Sequence, residues 1–193
     1  MFKPLLGVTA VILTFVGYVP YTRDVIAGKT KPHIFSWFLW GFVTAIAFAL
    51  QIYGQAGTGA YVTLAAAFMC FVVIALGFKY HSTSDITRTD IFFIGAAIVT
   101  LGVWVFAKQP VLSAVLTTLI DLLGFGPTIR KSWRKPFTET LSFYYLNTFR
   151  FGLAVISLSR YTIITALYPV AWLFANGLFA AVLLIRRKQL PVQ

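Results

Sequence analysis

The sequence predicts an all-α membrane protein: seven transmembrane helices arranged as two parallel three-helix repeats joined by a linker helix. Three observations predict it. Uncharged stretches of membrane-crossing length recur along the chain, Lys and Arg segregate to alternate connections, and a gapless offset of 107 residues lays the first part of the chain on the last. The 193 residues are 59% hydrophobic and only 11% charged, with a mean hydropathy of +0.84. That composition excludes a soluble enzyme, a disordered tail and a disulfide scaffold. The net charge of +11 would suggest nucleic acid on a soluble chain, but here the cationic residues lie between apolar runs and set topology instead. The single cysteine, Cys70, sits in an apolar stretch and can form no intrachain disulfide.

A helix needs about 20 apolar residues to cross a hydrocarbon core about 30 Å thick. The first such stretch lies between Lys3 and Arg23. It lacks a small-x-small cleavage pattern at Gly17-Tyr-Val-Pro-Tyr, so it is expected to be retained rather than removed as a signal peptide. The uncharged run from Pro32 to Phe78 is too long for one helix and is expected to break at Gly54, Gly57 and Gly59. Ile91 to Ala107 makes a fourth span. Gln109 to Ile129 makes a fifth containing Asp121, Thr140 to Ser159 a sixth containing Arg150, and Tyr161 to Ile185 a seventh.

Counting charges on alternate sides of seven spans gives twelve Lys and Arg on one side: Arg23, Lys29, Lys31, Lys79, Arg88, Arg130, Lys131, Arg134, Lys135, Arg186, Arg187 and Lys188. The other side holds three, Lys3, Lys108 and Arg160. The positive-inside rule then puts the N-terminus outside and the C-terminus in the cytoplasm. The loops Arg23 to His33 and Arg130 to Glu139 read as topological and lipid-contacting segments, and His33 and His81 have no metal-site spacing.

At the offset of 107, Gly17, Pro20 and Arg23 fall on Gly124, Pro127 and Arg130, Tyr61 on Tyr168, and Lys79 on Arg186. The recurring punctuation, a glycine, a proline and the cation that ends a span, carries this repeat more than its eleven identities in 86 positions. The repeats are residues 1–86 and 108–193, with the linker helix in 87–107.

A three, one, three plan with the N-terminus outside and a proline near the cytoplasmic end of each repeat's first helix resembles the SWEET and PQ-loop transporter superfamily. The likeness covers nearly the whole chain and includes the segment from Gly17-Tyr-Val-Pro-Tyr through Phe35-Ser-Trp. The glutamine of the PQ motif is absent, replaced by Tyr21 and Thr128. Nicotinamide riboside uptake proteins share a similar plan. The resemblance implies transport by alternating access, with gating around the kinked helices.

Pro20 and Pro127 each lack an amide hydrogen and clash with the preceding turn, so they are expected to kink their helices and act as hinges, although membrane helices also tolerate proline without such a role. Gly17 and Gly124 would permit close helix contact. Asp121 and Arg150 are the only charges well inside spans. An isolated charge there costs several kcal/mol, so mutual pairing is the economical expectation, either as a structural ion pair or as a site for a polar or zwitterionic solute or a coupling proton. Thr14 and Val43 occupy the matching positions in the first repeat.

Trp37, Trp40 and Thr44 share one helix face, and their counterparts are Tyr144, Asn147 and Phe151; Pro169, Trp172 and Asn176 share another. A Trp pair opposite a Tyr-Asn pair could stack a flat or sugar-like ligand. Trp104 and Trp133 read as an interfacial aromatic belt, and Trp37 reads equally as belt or as cavity lining. The expected solute-binding residues are therefore Trp40, Asp121, Tyr144, Asn147, Arg150, Trp172 and Asn176.

No phosphate loop, paired catalytic carboxylates or nucleophile-base grouping is visible, so neither an enzyme, a metal nor a cofactor is expected. The expected partners are a small polar solute such as a sugar, amino acid or vitamin, and the lipid bilayer, with no nucleic acid. A membrane receptor or assembly protein on the same fold is the alternative, and a vitamin or nucleoside uptake protein relying on intracellular trapping is a third.

Overall fold

The computed structural model describes residues 2–28, 32, 34–80, 88–125, 129, 132–134, 136–139 and 141–190. Helix is the only extended regular structure among them. Seven long helices follow in order: α1 (Phe2–Ile26), α2 (Ile34–Tyr53), α3 (Ala60–Lys79), α4 (Arg88–Val105), α5 (Pro110–Gly124), α6 (Leu141–Ile156) and α7 (Ile163–Gln189). Among the described residues three segments are long and apolar enough to cross a membrane: Phe2–Ile26, Gly57–Lys79 and Ile163–Gln189. The 15 residues of α5 rise only about 22 Å at about 1.5 Å per residue, and those of α6 little more, so both fall short of a full hydrocarbon core.

Local chemistry explains the helix ends. The expected break at the glycine cluster is a turn: α2 ends at Tyr53, Gly57 adopts a positive φ of 71°, and a 3-10 turn over Gly57–Gly59 leads into α3. Pro110 starts α5 at a position whose amide hydrogen has no helical acceptor. Thr162 and Thr165 form a reciprocal capping box at the start of α7.

The packing order repeats. In the first half α3 packs against both α1 and α2; in the second α7 packs against both α5 and α6. Across the halves α1 lies on α6 and α2 on α5, while α4 covers α2 and α5. Shifting residue numbers by 107 turns α1, α2 and α3 into α5, α6 and α7 and exchanges these contacts with one another.

The surface is rich in large apolar side chains, and the interior buries a set of polar groups within its apolar core. Leu5, Val8, Ile12, Phe15 and Val19 line the exposed face of α1, as Tyr61, Leu64, Phe68 and Phe71 do on α3, each at helical spacing. Thr14, Thr44, Gln51, Thr63, Ser113, Thr117, Asn147 and Asn176 are buried. A water-soluble bundle would reverse this arrangement, and apolar patches of such extent mark surfaces that meet something other than water. A membrane location follows naturally from it.

Two glycines make the halves meet. A Cβ on Gly17 would come within 3.0 Å of Leu146 on α6, and one on Gly124 within 3.1 Å of the Trp40 indole nitrogen on α2. At the end of the bundle where α1 and α7 begin, the turn between α2 and α3 seats on the one between α6 and α7. The Ser159 amide donates to the Ala56 carbonyl (2.8 Å), Arg160 Nη1 to Gln55 Oε1 (2.7 Å) and Lys3 Nζ to the Leu158 carbonyl (2.8 Å). We refer to these contacts as the clasp.

Pro20 lies inside α1, which continues to Ile26, and its missing amide hydrogen leaves the Val16 carbonyl without an α-helical donor. Pro127 lies outside the described residues, as do His33, His81, Thr128, Arg130 and Lys131. Pro169 lies inside α7 and frees the Thr165 carbonyl in the same way; here Gln51 Nε2 reaches across from α2 and donates to it at 3.3 Å.

The clasp leaves no room for a side chain at Gly59, where a Cβ would stand 2.6 Å from the Ala154 carbonyl oxygen. Gly59→Val is expected to destabilise the protein by about 1–3 kcal/mol in detergent-solubilised thermal unfolding. Gly95 has nothing within 4 Å of such a Cβ, and Gly95→Ala is expected to change stability by no more than about 1 kcal/mol.

Candidate functional site

Asp121 stands in the last turn of α5 with 3% of its surface exposed. That turn carries the partial negative charge of the helix C-terminus, an unfavourable place for a carboxylate unless donors converge on it. Two do so from α7: the Tyr168 hydroxyl donates to Oδ2 at 2.7 Å and Trp172 Nε1 at 2.9 Å. The Tyr168 hydroxyl also lies 3.1 Å from Thr44 Oγ1 on α2. Because the single phenolic proton goes to the carboxylate, the Thr44 hydroxyl is the donor in that contact, and the chain Thr44 to Tyr168 to Asp121 runs from one half of the molecule to the other.

Arg150 sits in the middle of α6 and is 4% exposed. Its Nε donates to Asn147 Oδ1 at 2.6 Å, one turn earlier on the same helix, and Nη1 donates to Thr14 Oγ1 on α1 at 3.1 Å. The Thr14 hydroxyl proton is committed to the Ala10 carbonyl at 2.9 Å, which leaves its lone pairs free for the guanidinium. The guanidinium carbon lies 4.4 Å from the centre of the Phe151 ring.

The expected pairing of Asp121 with Arg150 is therefore corrected: among the described residues they make no ion pair, and each is held by neutral partners. The reason is topological. The sixth helix packs on α1 and α7, the fifth on α2, α4 and α7, so α7 intervenes between the two charges. Asp121 also stands nearer the end of its helix than its place in the uncharged stretch suggests, since α5 ends three residues after it.

The two charged centres are nevertheless joined through aromatic rings. Trp172, bonded to Asp121, stacks on Phe151 with ring centroids 6.4 Å apart and planes 17° from parallel, and Phe151 carries the Arg150 guanidinium on its face. Asn176 Nδ2 donates to the Trp172 carbonyl at 2.7 Å, one turn back, and so braces the helix that carries Trp172. Thus Asp121 and Trp172 meet directly, as do Asn147 and Arg150, with Asn176 attached behind them.

Trp40 and Tyr144 fall elsewhere. Trp40 packs edge-on to Trp37 (5.3 Å) and against Gly124, while the Tyr144 hydroxyl donates to Glu139 Oε2 (2.9 Å) within a cluster of Phe125, Phe143 and Phe179. Tyr18 links the two sets, edge-on to Trp37 and to Phe143, which in turn packs edge-on to Tyr144. Trp37 is buried, with its Nε1 on the Tyr21 hydroxyl at 3.2 Å, which removes it from an interfacial belt. Trp133 is exposed beneath the Arg186 guanidinium at 4.7 Å.

Tyr168, Thr44 and Thr14 join the site although sequence reasoning gave them no binding role. For Tyr168 the signal was present, since Tyr168, Trp172 and Asn176 follow i, i+4, i+8 along α7. No group of three metal-ligating side chains gathers among the described residues. No protein-family model matches the chain, and no curated protein and no solved structure matches it.

These contacts predict the outcome of two double-mutant cycles on unfolding free energy. Asp121→Asn with Tyr168→Phe is expected to show coupling of about 1.5–3 kcal/mol, the range for a hydrogen bond to a charged group. Asp121→Asn with Arg150→Gln is expected to couple by less than about 0.5 kcal/mol, since the two groups share no direct contact.

Proposed function

We propose that the chain is an integral membrane carrier that moves a small polar solute by alternating access, with two three-helix bundles rocking about a central site. The observation that carries this reading is the pair of separately held charges, Asp121 and Arg150, buried at the contact between the two halves. Ionisable groups at such depth are costly, and in membrane proteins they mark solute and ion pathways. The apolar exterior and the three segments long enough to cross support a bundle set in a membrane, in which the shorter helices complete a seven-helix plan, and the repeated packing order supports two three-helix repeats with α4 as linker. Parallel-repeat carriers place their sites at such an interface.

In this reading the N-terminus faces outward, the clasp closes the outer end, and the ends bearing Lys79, Arg186 and Arg187 face the cytoplasm. Admitting solute from outside requires the Ser159 to Ala56, Arg160 to Gln55 and Lys3 to Leu158 bonds to separate together, since all three join the two halves or the first helix to the last turn. Pro20 and Pro169 provide places where a helix bends without losing an amide bond it would otherwise have made. Hydrogen-bond exchange at the freed Val16 and Thr165 carbonyls lets the bundles move at small cost. In this reading the energy comes from the solute gradient or from a coupled ion.

The test is uptake of labelled sugars, amino acids, ribosides and vitamins into liposomes containing the purified protein. Saturable uptake of at least one solute is expected. The Ser159 to Ala56 backbone bond brings these positions close enough for a disulfide, so Ala56→Cys with Ser159→Cys is expected to abolish uptake on oxidation and recover it on reduction. Absence of uptake for every solute, with the pair forming readily and without consequence, would overturn the carrier reading in favour of a receptor or assembly protein on the same fold.

A further inference from the structure

We infer that the C-terminal end of α7 binds an anionic phospholipid, with its phosphate on Arg186 and Lys188 and an acyl chain along the exposed face of the helix. The inference goes beyond the carrier reading and needs only that the bundle lies in a membrane. Phe174, Leu178, Ala181 and Ile185 are exposed on α7 at i, i+4, i+7 and i+11, so they form one straight apolar stripe. From Phe174 to Ile185 the helix rises about 16 Å at about 1.5 Å per residue. That matches one leaflet of hydrocarbon, about 15 Å, half of a core about 30 Å thick.

The stripe ends in cations. Lys188 and Gln189, both exposed, continue its line three and four residues after Ile185. Arg186 reaches the same place from the side: Nη1 donates to Gln189 Oε1 at 2.7 Å, Nε donates to the Trp133 carbonyl at 3.0 Å, and the guanidinium lies 4.7 Å from the centre of the exposed Trp133 ring. All of these partners are neutral, so they hold the guanidinium in place without cancelling its charge. Glu139, the last acidic residue in the sequence, accepts the Tyr144 hydroxyl on its carboxylate, and its carbonyl takes the neighbouring Arg187. Topology alone asks for less charge here. At the offset of 107 the counterparts of Arg186, Arg187 and Lys188 are Lys79, Tyr80 and His81, so the first repeat closes its last helix with a single Lys or Arg where the second has three.

An exposed indole beside a cation is characteristic of the depth at which lipid headgroups lie. A guanidinium and an ammonium both give a phosphate charge-assisted hydrogen bonds. Free phosphate would use the cations and leave the stripe uncovered, whereas a lipid without net charge would cover the stripe and leave the cations uncompensated. An anionic phospholipid uses both.

The test applies native mass spectrometry to the purified full-length chain, released from detergent containing equal amounts of phosphatidylglycerol and phosphatidylcholine. Thermal unfolding is followed with each lipid and with glycerol 1-phosphate, which carries the phosphate without the tails. Monomer ions are expected to retain phosphatidylglycerol in preference to phosphatidylcholine, and phosphatidylglycerol alone is expected to raise the unfolding temperature. Arg186→Gln and Lys188→Gln are each expected to reduce the preference about fivefold, and the pair on the order of 25-fold, whereas Lys79→Gln, which removes a cation from the same end of the bundle, reduces it by less than about twofold. The comparison of the three additives on the unaltered protein decides the matter even where a variant fails to fold. Equal retention of the two lipids would overturn the inference, as would stabilisation by glycerol 1-phosphate equal to that by phosphatidylglycerol. Equal losses from Lys79→Gln and Arg186→Gln would replace the site with diffuse surface charge, and dimer ions that retain no lipid would place a second copy of the chain on the stripe; either result overturns it.

Discussion

A charge in a low-dielectric interior must be compensated within a few ångströms or it drives the protein apart, and this chain buries two opposite charges without letting them compensate each other. Everything at the centre follows from that constraint. Asp121 obtains its compensation from a phenol and an indole on α7, Arg150 from an amide on its own helix and a hydroxyl on α1. The partners come from both halves of the molecule, so α1, α2, α5, α6 and α7 are all committed to holding two side chains. Trp172, bonded to Asp121, stacks on Phe151, whose ring face carries the Arg150 guanidinium.

The same economy governs the backbone. Pro169 removes a helical bond from α7, and Gln51 restores a donor to the freed carbonyl from the facing helix. Glycines at the turn between α2 and α3 allow two chain segments to close on each other, and Gly17 and Gly124 do so for the helices at the repeat contacts. Each of these is a place where contact between halves is made by small groups and single hydrogen bonds rather than by interdigitated bulk. Apolar clusters pack within each half, α2 on α3 and α6 on α7, and also across the halves, where Leu39 and Val43 meet Ile120 and where Ala47 meets Phe151 and Tyr168.

The helical character and the position of the Gly54 to Gly59 break were legible because charge spacing and glycine act locally. The site was legible only in part. Asp121, Asn147, Arg150, Trp172 and Asn176 stand out as polar or aromatic groups in apolar runs, and depth is readable from distance to the span ends. Azimuth and neighbourhood are not. Nothing in the sequence says that α7 lies between α5 and α6, so the pairing of Asp121 with Arg150 looked economical when the packing forbids it. Trp40 and Tyr144 shared the right spacing but are turned into aromatic clusters with Trp37 and with Phe125. The acceptor role of Thr14 depends on α1 meeting α6, a contact between residues 136 positions apart in sequence. The length of α5 was overestimated because an uncharged stretch bounds a helix from outside without fixing where its last turn ends.

The most direct measurement of the central claim is the distance between spin labels at the two ends of the bundle in liposomes, by pulsed electron resonance. Tyr53 and Tyr161 are exposed beside the clasp, and Ile26 and Trp133 are exposed at the opposite end. The account predicts two distances at each end whose populations trade: where the Tyr53 to Tyr161 distance lengthens, the Ile26 to Trp133 distance shortens, and a transported solute shifts the balance. A single distance at each end, unchanged by any solute that binds, would contradict it.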